Sequence, residues 1–141
     1  RAGAGTQNAG LAIGGPSSST ATEEYNGSSW SAGGALNAGR AASSGGGSQN
    51  EAFAALGYND PSNTRRTCTE EYDGSTWSTG AAASTARFSA GSAGTQNAGI
   101  VFGGVDTSNC SSTEEYTGKV LSGYYNYANC LRCLTGTITS L

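Results

Sequence analysis

The stretch GTQNAGLAIGG at residues 5–15 decides the fold, because two close copies of it follow along the chain. GSQNEAFAALGY occupies residues 47–58, and GTQNAGIVFGG occupies residues 94–104. Each copy precedes the same motif, found as Glu23-Glu24-Tyr25, Glu70-Glu71-Tyr72 and Glu114-Glu115-Tyr116. A repeat of about 40–50 residues indicates one supersecondary unit per copy, stacked so that neighbouring units bury each other's apolar faces.

Each repeat carries strand signals rather than helix signals. Leu11 and Ile13 alternate with small residues, as do Ile100 and Phe102, and Phe53 stands at the same phase of the middle copy. Such alternation is typical of a strand with one buried face, whereas no apolar pattern of helical period continues beyond two turns. We therefore expect an all-β fold.

A predicted hairpin follows in each repeat. YNGSSW at residues 25–30 and YDGSTW at residues 72–77 place Asn-Gly and Asp-Gly between two aromatic residues, and these pairs favour a type I′ turn. Arg40, Arg87 and Arg132 share one phase, ten or eleven residues beyond the Trp position. These landmarks predict about four strands per repeat: one after Arg, one ending at Gly-Gly, one ending at Tyr and one starting at Trp.

The order of these landmarks resembles the kelch repeat. The first copy has Gly14-Gly15, then Tyr25 to Trp30, then Arg40, although its Tyr-to-Trp loop is shorter and its Gly-Gly-to-Tyr stretch longer than in ordinary kelch repeats. The variant with Glu-Glu-Tyr and Trp is similar to repeats of bacteriophage proteins, especially from phages of aquatic cyanobacteria. The resemblance implies kelch-like β-propeller blades in a single repeat domain over residues 1–141, with repeats at about 1–42, 43–89 and 90–141.

Three blades do not close a propeller, because known rings have about four to eight. Three arrangements stay open: a part of a longer propeller, several copies that share a ring or stack into a filament, and a different threefold fold such as a β-trefoil or β-prism. The length of 141 residues suits the trefoil and the prism, which typically bind carbohydrate. The kelch-like order of landmarks favours propeller blades.

The composition argues against several partners. A net charge of −3 without a basic stripe disfavours nucleic-acid binding, which needs clustered cations. No apolar run approaches the roughly 20 residues that span a bilayer, and no signal peptide is visible at the first residue, so membrane insertion is not expected. Only 12% of the residues are charged, and the abundance of Ser, Thr and Asn favours an extracellular or virion surface.

Four cysteines are candidates for disulfides. They are Cys68, Cys110, Cys130 and Cys133. The first two stand shortly before the Glu-Glu-Tyr motifs of adjacent repeats, where facing strands could join them, and the last two form a CxxC. The chain has no His and no second CxxC, so disulfides or idle thiols are better predictions than a zinc site. No metal or cofactor is expected.

Most of the charged residues recur at fixed positions of the repeat. Paired carboxylates suit glycosidases, but adjacent strand residues point to opposite faces, and three copies of one active site have no use. We expect one Glu of each pair to bind the repeat Arg, across a repeat boundary or within one. With no His for a triad, an enzyme is disfavoured.

The aromatic residues divide into two groups. Trp30 and Trp77 share one phase, which predicts core packing rather than sugar stacking. Tyr124, Tyr125 and Tyr127 break the repeat and are the candidate contact surface, because Tyr is favoured at recognition surfaces. The alternative for this tyrosine cluster is a cap on the terminal repeat.

The sequence predicts a non-enzymatic surface binding or structural module. The phage resemblance implies a tail or appendage component of the virion that contacts a host or another virion part. The expected partners are further copies of the chain or other virion proteins. The alternative function is a lectin-like domain that binds a cell-surface glycan.

Overall fold

The computed structural model describes residues 1–118, and this part of the chain is all-β. A single turn of 3-10 helix, Pro16–Ser18, is the one helical element among these residues. The strands in chain order are β1 (Ala2–Thr6), β2 (Ala9–Ile13), β3 (Thr22–Tyr25), β4 (Trp30–Ala32), β5 (Ser44–Gly47), β6 (Ala52–Ala55), β7 (Tyr58–Asn59), β8 (Thr64–Arg65), β9 (Thr69–Tyr72), β10 (Trp77–Thr79), β11 (Gly91–Thr95), β12 (Ala98–Phe102) and β13 (Thr113–Tyr116).

The repeats form separate antiparallel sheets. The first sheet has the order β1-β2-β3-β4, and the second has the order β5-β6-β9-β10. The third repeat contributes β11-β12-β13 within the described residues, and none of the sheets in residues 1–118 closes on itself. The four strands predicted for a repeat are thus confirmed in the first two repeats, each as one up-and-down sheet.

The first hairpin of each repeat depends on one glycine. Gly5 has a φ of +94°, and a Cβ built on it would lie 2.1 Å from the carbonyl oxygen of Ala9. Gly47 and Gly94 have the same geometry at φ values of +100° and +96°. Only glycine fits a left-handed conformation with the facing strand so close. The Gly that begins each repeated stretch therefore fixes the turn between the first two strands.

The second hairpin is confirmed, but its predicted turn type is wrong. Tyr25 pairs with Trp30 across a loop of four residues, so Asn26-Gly27 is not the two-residue centre of a type I′ turn. Gly27 has a φ of +92°, whereas Asn26 is not among the residues with positive φ. Instead, the Asn26 side-chain oxygen accepts hydrogen bonds from the amides of Ser28 and Ser29. This bonding of an Asn side chain to the backbone amides that follow it stabilises the longer loop.

The middle repeat contains an additional hairpin. Strands β7 and β8 pair between β6 and β9, which accounts for the long stretch from Gly57 to the second Glu-Glu-Tyr motif. The hairpin packs on the following connection, where the Tyr58 ring meets Phe88 edge to face at 5.3 Å. The Arg65 guanidinium lies 5.8 Å from the centre of the same Phe88 ring.

The core lies between repeats rather than within them. Leu11 and Ile13 of β2 pack against Ala52, Ala54 and Tyr72 of the second repeat. A second cluster joins β6 to the third repeat in the same way, through the side chains of Phe53, Ala55, Val101 and Tyr116. Strand β5 packs between β1 and β11. Each repeat therefore buries its apolar side chains against its neighbour, as expected for a stacked array.

Candidate assembly interface

The most deeply buried charge in the first repeat boundary is Arg40. Its side chain is fully buried, and its Nη2 lies 2.5 Å from Oε1 of Glu70 in the next repeat. The Nη1 group donates to the carbonyl oxygens of Ala54 and Cys68. Glu70 also accepts the amide of Asn37 at 2.7 Å. A buried ion pair of this kind stabilises only when such additional hydrogen bonds satisfy both partners.

The second boundary has a similar pair, although the buried Nε and Nη2 of Arg87 have no hydrogen-bond partner among the described residues. Arg87 is fully buried, and its Nη1 lies 2.5 Å from Oε1 of Glu114 in the third repeat. Glu114 accepts the Ser84 amide at 2.6 Å. Burial opposes ionisation of Glu114, but the hydrogen bonds from Ser84 and Arg87 outweigh it, so its pKa lies below the ordinary range. The predicted bond between the repeat Arg and one Glu is confirmed at both boundaries.

In the first two pairs, the other Glu has a partner that the sequence reasoning missed. The Tyr72 hydroxyl donates to Glu24 of the preceding repeat at 2.5 Å, and it accepts the Gly34 amide. The Tyr116 hydroxyl donates to Glu71 in the same way. Burial, together with the bond to Glu24, raises the pKa of Tyr72. The recurrence of Tyr beside Glu-Glu was the available signal, but it does not say that the bond crosses to a neighbouring repeat.

At each boundary, a glutamine side chain donates hydrogen bonds to the preceding repeat. Gln49 Nε2 donates to the carbonyl oxygens of Gly10 and Tyr25, at 3.0 and 2.8 Å. Gln96 Nε2 donates to those of Ala52 and Tyr72, at 2.9 and 2.8 Å. Each Gln thus bridges two paired strands of the repeat before it. The Gln of the repeated GTQN and GSQN stretches is therefore an interface residue, which the sequence reasoning did not assign.

The two tryptophans differ, and the prediction that both belong to the core is wrong for Trp30. Trp77 is 5% exposed and donates from Nε1 to the Thr22 hydroxyl oxygen at 2.9 Å and to the Gly34 carbonyl oxygen at 3.0 Å. Trp30 is 54% exposed and touches the ring of Tyr25. The physical reason is position: Trp77 packs on the repeat before it, and no described repeat precedes the first.

The two ends of the array have different surfaces. We call the end that carries Gln7, Tyr25 and Trp30 the leading face; these residues stand at the phases of Gln49, Tyr72 and Trp77. We call the end that carries Ile100, Phe102, Thr113 and Glu115 the trailing face; these stand at the phases of Leu11, Ile13, Thr22 and Glu24. Each face therefore holds one half of the Gln, Tyr and Trp contacts seen at the first internal boundary.

The predicted disulfide between Cys68 and Cys110 is not formed. The Cys68 thiol is buried, with its sulfur 3.6 Å from Arg40 Nη2, whereas Cys110 lies in the loop before β13. The Cys110 pKa is lowered by hydrogen bonds from Ser112. The remaining predicted site residues lie outside the described part of the chain: Tyr124, Tyr125, Tyr127, Cys130 and Cys133.

No group of three His, Cys, Asp or Glu side chains in residues 1–118 is arranged to hold a metal ion. Over the same residues, no helix has the length and apolar character needed to cross a bilayer.

No family model and no curated protein matches the chain. A solved structure described as "Structure of YjhT" is similar to it, with a TM-score of 0.64 and 15% sequence identity. The likeness covers 79% of this chain and 40% of that chain. At this identity it concerns the fold alone, and it supports the all-β architecture built from the described strands.

Proposed function

We propose that the chain is a non-enzymatic structural and binding module of a virion surface, a tail or appendage component that makes host or assembly contacts. The observation that supports it best is the use of the repeated acids. Glu24, Glu70, Glu71 and Glu114 all bind Tyr or Arg across repeat boundaries. Their carboxylates hold the array together, and a catalytic acid would need to face substrate instead.

The same proposal includes kelch-like propeller blades as the architecture. Four strands in simple up-and-down order form each complete sheet. The first strands β1, β5 and β11 lie side by side, as the inner strands of adjacent blades do around an axis. A crystal structure in which the first strands surround one axis is the expected result.

The virion location follows from the phage resemblance and from a composition with 12% charged residues. It can be tested by mass spectrometry of density-purified phage particles from the source of the sequence. Trypsin cleaves after Arg66 and Arg87, so the peptide of residues 67–87 reports the middle repeat. We expect this peptide to co-purify with intact particles. Its recovery only from the soluble fraction of infected or uninfected cells would contradict the virion assignment.

A lectin-like activity is the second candidate, and one observation favours it. The exposed Trp30 indole stands beside Tyr25, with ring centres 5.1 Å apart, and aromatic faces of this kind stack on sugars. A glycan array probed with the purified chain tests it, with Trp30→Ala as the variant and Trp77→Phe as the control at a buried position. Binding that is lost in the first variant alone would establish the lectin.

A further inference from the structure

We propose that a second copy of this chain docks head to tail on the first, with the leading face of each copy on the trailing face of the other. Two copies then make two such contacts with each other. The inference rests on the proposed function for the view that repeats are blades, and it names the first assembly partner of the module.

The proposed contact already exists twice inside the chain. At the first boundary, Gln49, Tyr72 and Trp77 of the second repeat bind the backbone and side chains of the first. At the second boundary, Gln96 and Tyr116 repeat the Gln and Tyr contacts. A docking mode that the molecule uses twice in its own fold is a direct template for a third use.

The leading face presents the donor half of this template. Gln7 is exposed, although its counterpart Gln49 donates two hydrogen bonds. Tyr25 and Trp30 keep the relative placement of Tyr72 and Trp77, since the ring centres lie 5.1 Å apart in one pair and 4.8 Å in the other. The face is thus preorganised and binds by adding a partner rather than by rearranging.

The trailing face presents the acceptor half. Glu115 stands where Glu24 accepts the Tyr72 hydroxyl, and Thr113 stands where Thr22 accepts the Trp77 indole nitrogen. Both Glu115 and Thr113 are exposed. The carbonyl of Gly99 is placed like that of Gly10, which accepts Gln49. The Gln, Tyr and Trp donors of the leading face therefore each have an acceptor at the matching phase of the trailing face.

The exposed apolar side chains lie on the same two faces as the matched polar groups. Within residues 1–118 the exposed large hydrophobic side chains are Trp30, at 54%, and Phe102, at 44%, and they lie on opposite end faces. Their internal counterparts Trp77 and Ile13 are 5% and 0% exposed, because a neighbouring repeat covers them. One head-to-tail contact covers both at once, and removing such area from water favours association.

The placement of the two faces favours a closed pair, because each copy carries both a leading and a trailing face. A ring of two copies forms both head-to-tail contacts together, so the second contact is intramolecular and strengthens the first.

The polar match also favours a second copy over a sugar as the occupant of the leading face. A sugar that stacked on Trp30 would leave the acceptors of the trailing face, Thr113 and Glu115, without a role. A second copy uses the donors of one face and the acceptors of the other in the same event, and does so at both contacts of the ring.

The test is sedimentation velocity of the full chain at several concentrations, with three variants. Trp30→Arg places a charge on the leading face, and Phe102→Arg places one on the trailing face. Thr64→Arg adds the same charge to the exposed hairpin of the middle repeat and serves as the matched control. Circular dichroism melts of all variants check folding, because the altered side chains are exposed in a single copy.

The wild type and Thr64→Arg are expected to sediment as pairs of the 14.0 kDa chain. Each face variant alone is expected to be monomeric, with a dissociation constant raised by about 100-fold or more, as for a central interface aromatic residue. A mixture of the two face variants should form pairs again, though more weakly than the wild type, because one contact joins two intact faces while the other sets the two introduced charges against each other. A head-to-head contact cannot give this rescue.

Several outcomes would overturn the inference. These are a wild type that stays monomeric at 100-fold the concentration of a routine assay, an open-ended series of sizes, and a pair that survives both face variants. A monomer that binds glycans through Trp30 would assign the leading face to carbohydrate. Failure here leaves the virion assignment intact, since peptide recovery from particles does not depend on pairing, and failure of that assignment does not affect sedimentation.

Discussion

The hydroxyl of Tyr72 lies 2.5 Å from Oε1 of Glu24, and the two residues belong to different repeats. The same side chains recur as Tyr116 and Glu71 at the next boundary. The Glu-Glu-Tyr motif thus contacts both neighbouring repeats. Its Tyr donates a hydrogen bond to the repeat before it, and its second Glu accepts one from the repeat after it. The array is held together by residues that are neighbours in sequence but partners only between copies.

Removal of one of these carboxylates should destabilise the fold. Glu71 is 6% exposed and accepts the buried Tyr116 hydroxyl. Glu71→Ala leaves that donor without its partner, which costs about 1–3 kcal/mol of the free energy of unfolding. Asp106→Ala is the control, because the Asp106 side chain is 44% exposed and lies 3.7 Å from Arg65. Urea unfolding followed by tryptophan fluorescence measures both, and equal midpoints would contradict the structural role of Glu71.

The Arg–Glu pairs allow a comparison between a buried and an exposed ion pair. Arg40→Ala leaves Glu70 buried without its cation and should lower the unfolding free energy by about 3–5 kcal/mol. Arg1→Ala removes the partner of Glu23, whose side chain is 43% exposed, and should cost about 0–1 kcal/mol. Thermal melts of the two variants measure both losses of stability. A loss in Arg1→Ala as large as that in Arg40→Ala would show that burial does not make the Arg40–Glu70 pair more important for stability.

The Tyr72 hydroxyl makes the stability depend on pH in the alkaline range. Burial raises the pKa of Tyr72 above its ordinary value near 10, so the folded state holds the proton more tightly than the unfolded state. This stabilisation is complete below the unfolded pKa and is lost as the pH rises through the folded pKa. Tyr72→Phe should therefore flatten the decline of the unfolding free energy at pH values above the ordinary tyrosine pKa of about 10.

Denaturant titrations at each pH measure that slope. Tyr25→Phe is the control, because it removes a hydroxyl at the same phase that has no hydrogen-bond partner among the described residues. If Tyr25→Phe flattens the alkaline slope as much as Tyr72→Phe, the bond to Glu24 is not the cause.

The repeat and its strands were predictable because they leave a periodic trace. The strand that ends at Tyr25 and the strand that begins at Trp30 follow from local rules about turns and side-chain alternation. The partners of Glu24 and Gln49 were not predictable, because both contacts join different repeats and depend on how the sheets are packed. Local propensity does not contain that information.

The exposure of Trp30 also could not be predicted from local sequence rules. Periodicity gives Trp30 and Trp77 one role, but burial at this phase depends on a preceding repeat. No repeat among residues 1–118 covers Trp30 as the first repeat covers Trp77, and so equal residues acquire unequal environments. The inserted hairpin β7–β8 was missed for a related reason, since it occurs in one repeat alone and leaves no periodic signal.

The glutamine contact gives a prediction with an internal control. Gln49→Ala removes two hydrogen bonds to the carbonyl oxygens of Gly10 and Tyr25 and should lower the unfolding free energy by about 1–2 kcal/mol. Gln7→Ala alters the same phase of the first repeat, where the side chain is exposed, and should leave the unfolding of the isolated chain within about 0.5 kcal/mol of wild type.

Protein concentration separates the two roles of this glutamine phase. In dilute protein, where pairing is absent, urea titration should show a lower unfolding free energy for Gln49→Ala but not for Gln7→Ala. At high concentration Gln7→Ala should lose the additional stability that a bound partner confers on the wild type, because ligand-like association raises the unfolding free energy by mass action. A Gln7→Ala variant that is as unstable as Gln49→Ala in dilute protein would show that Gln7 bonds within its own chain, and so the face it occupies would not be open to a second copy.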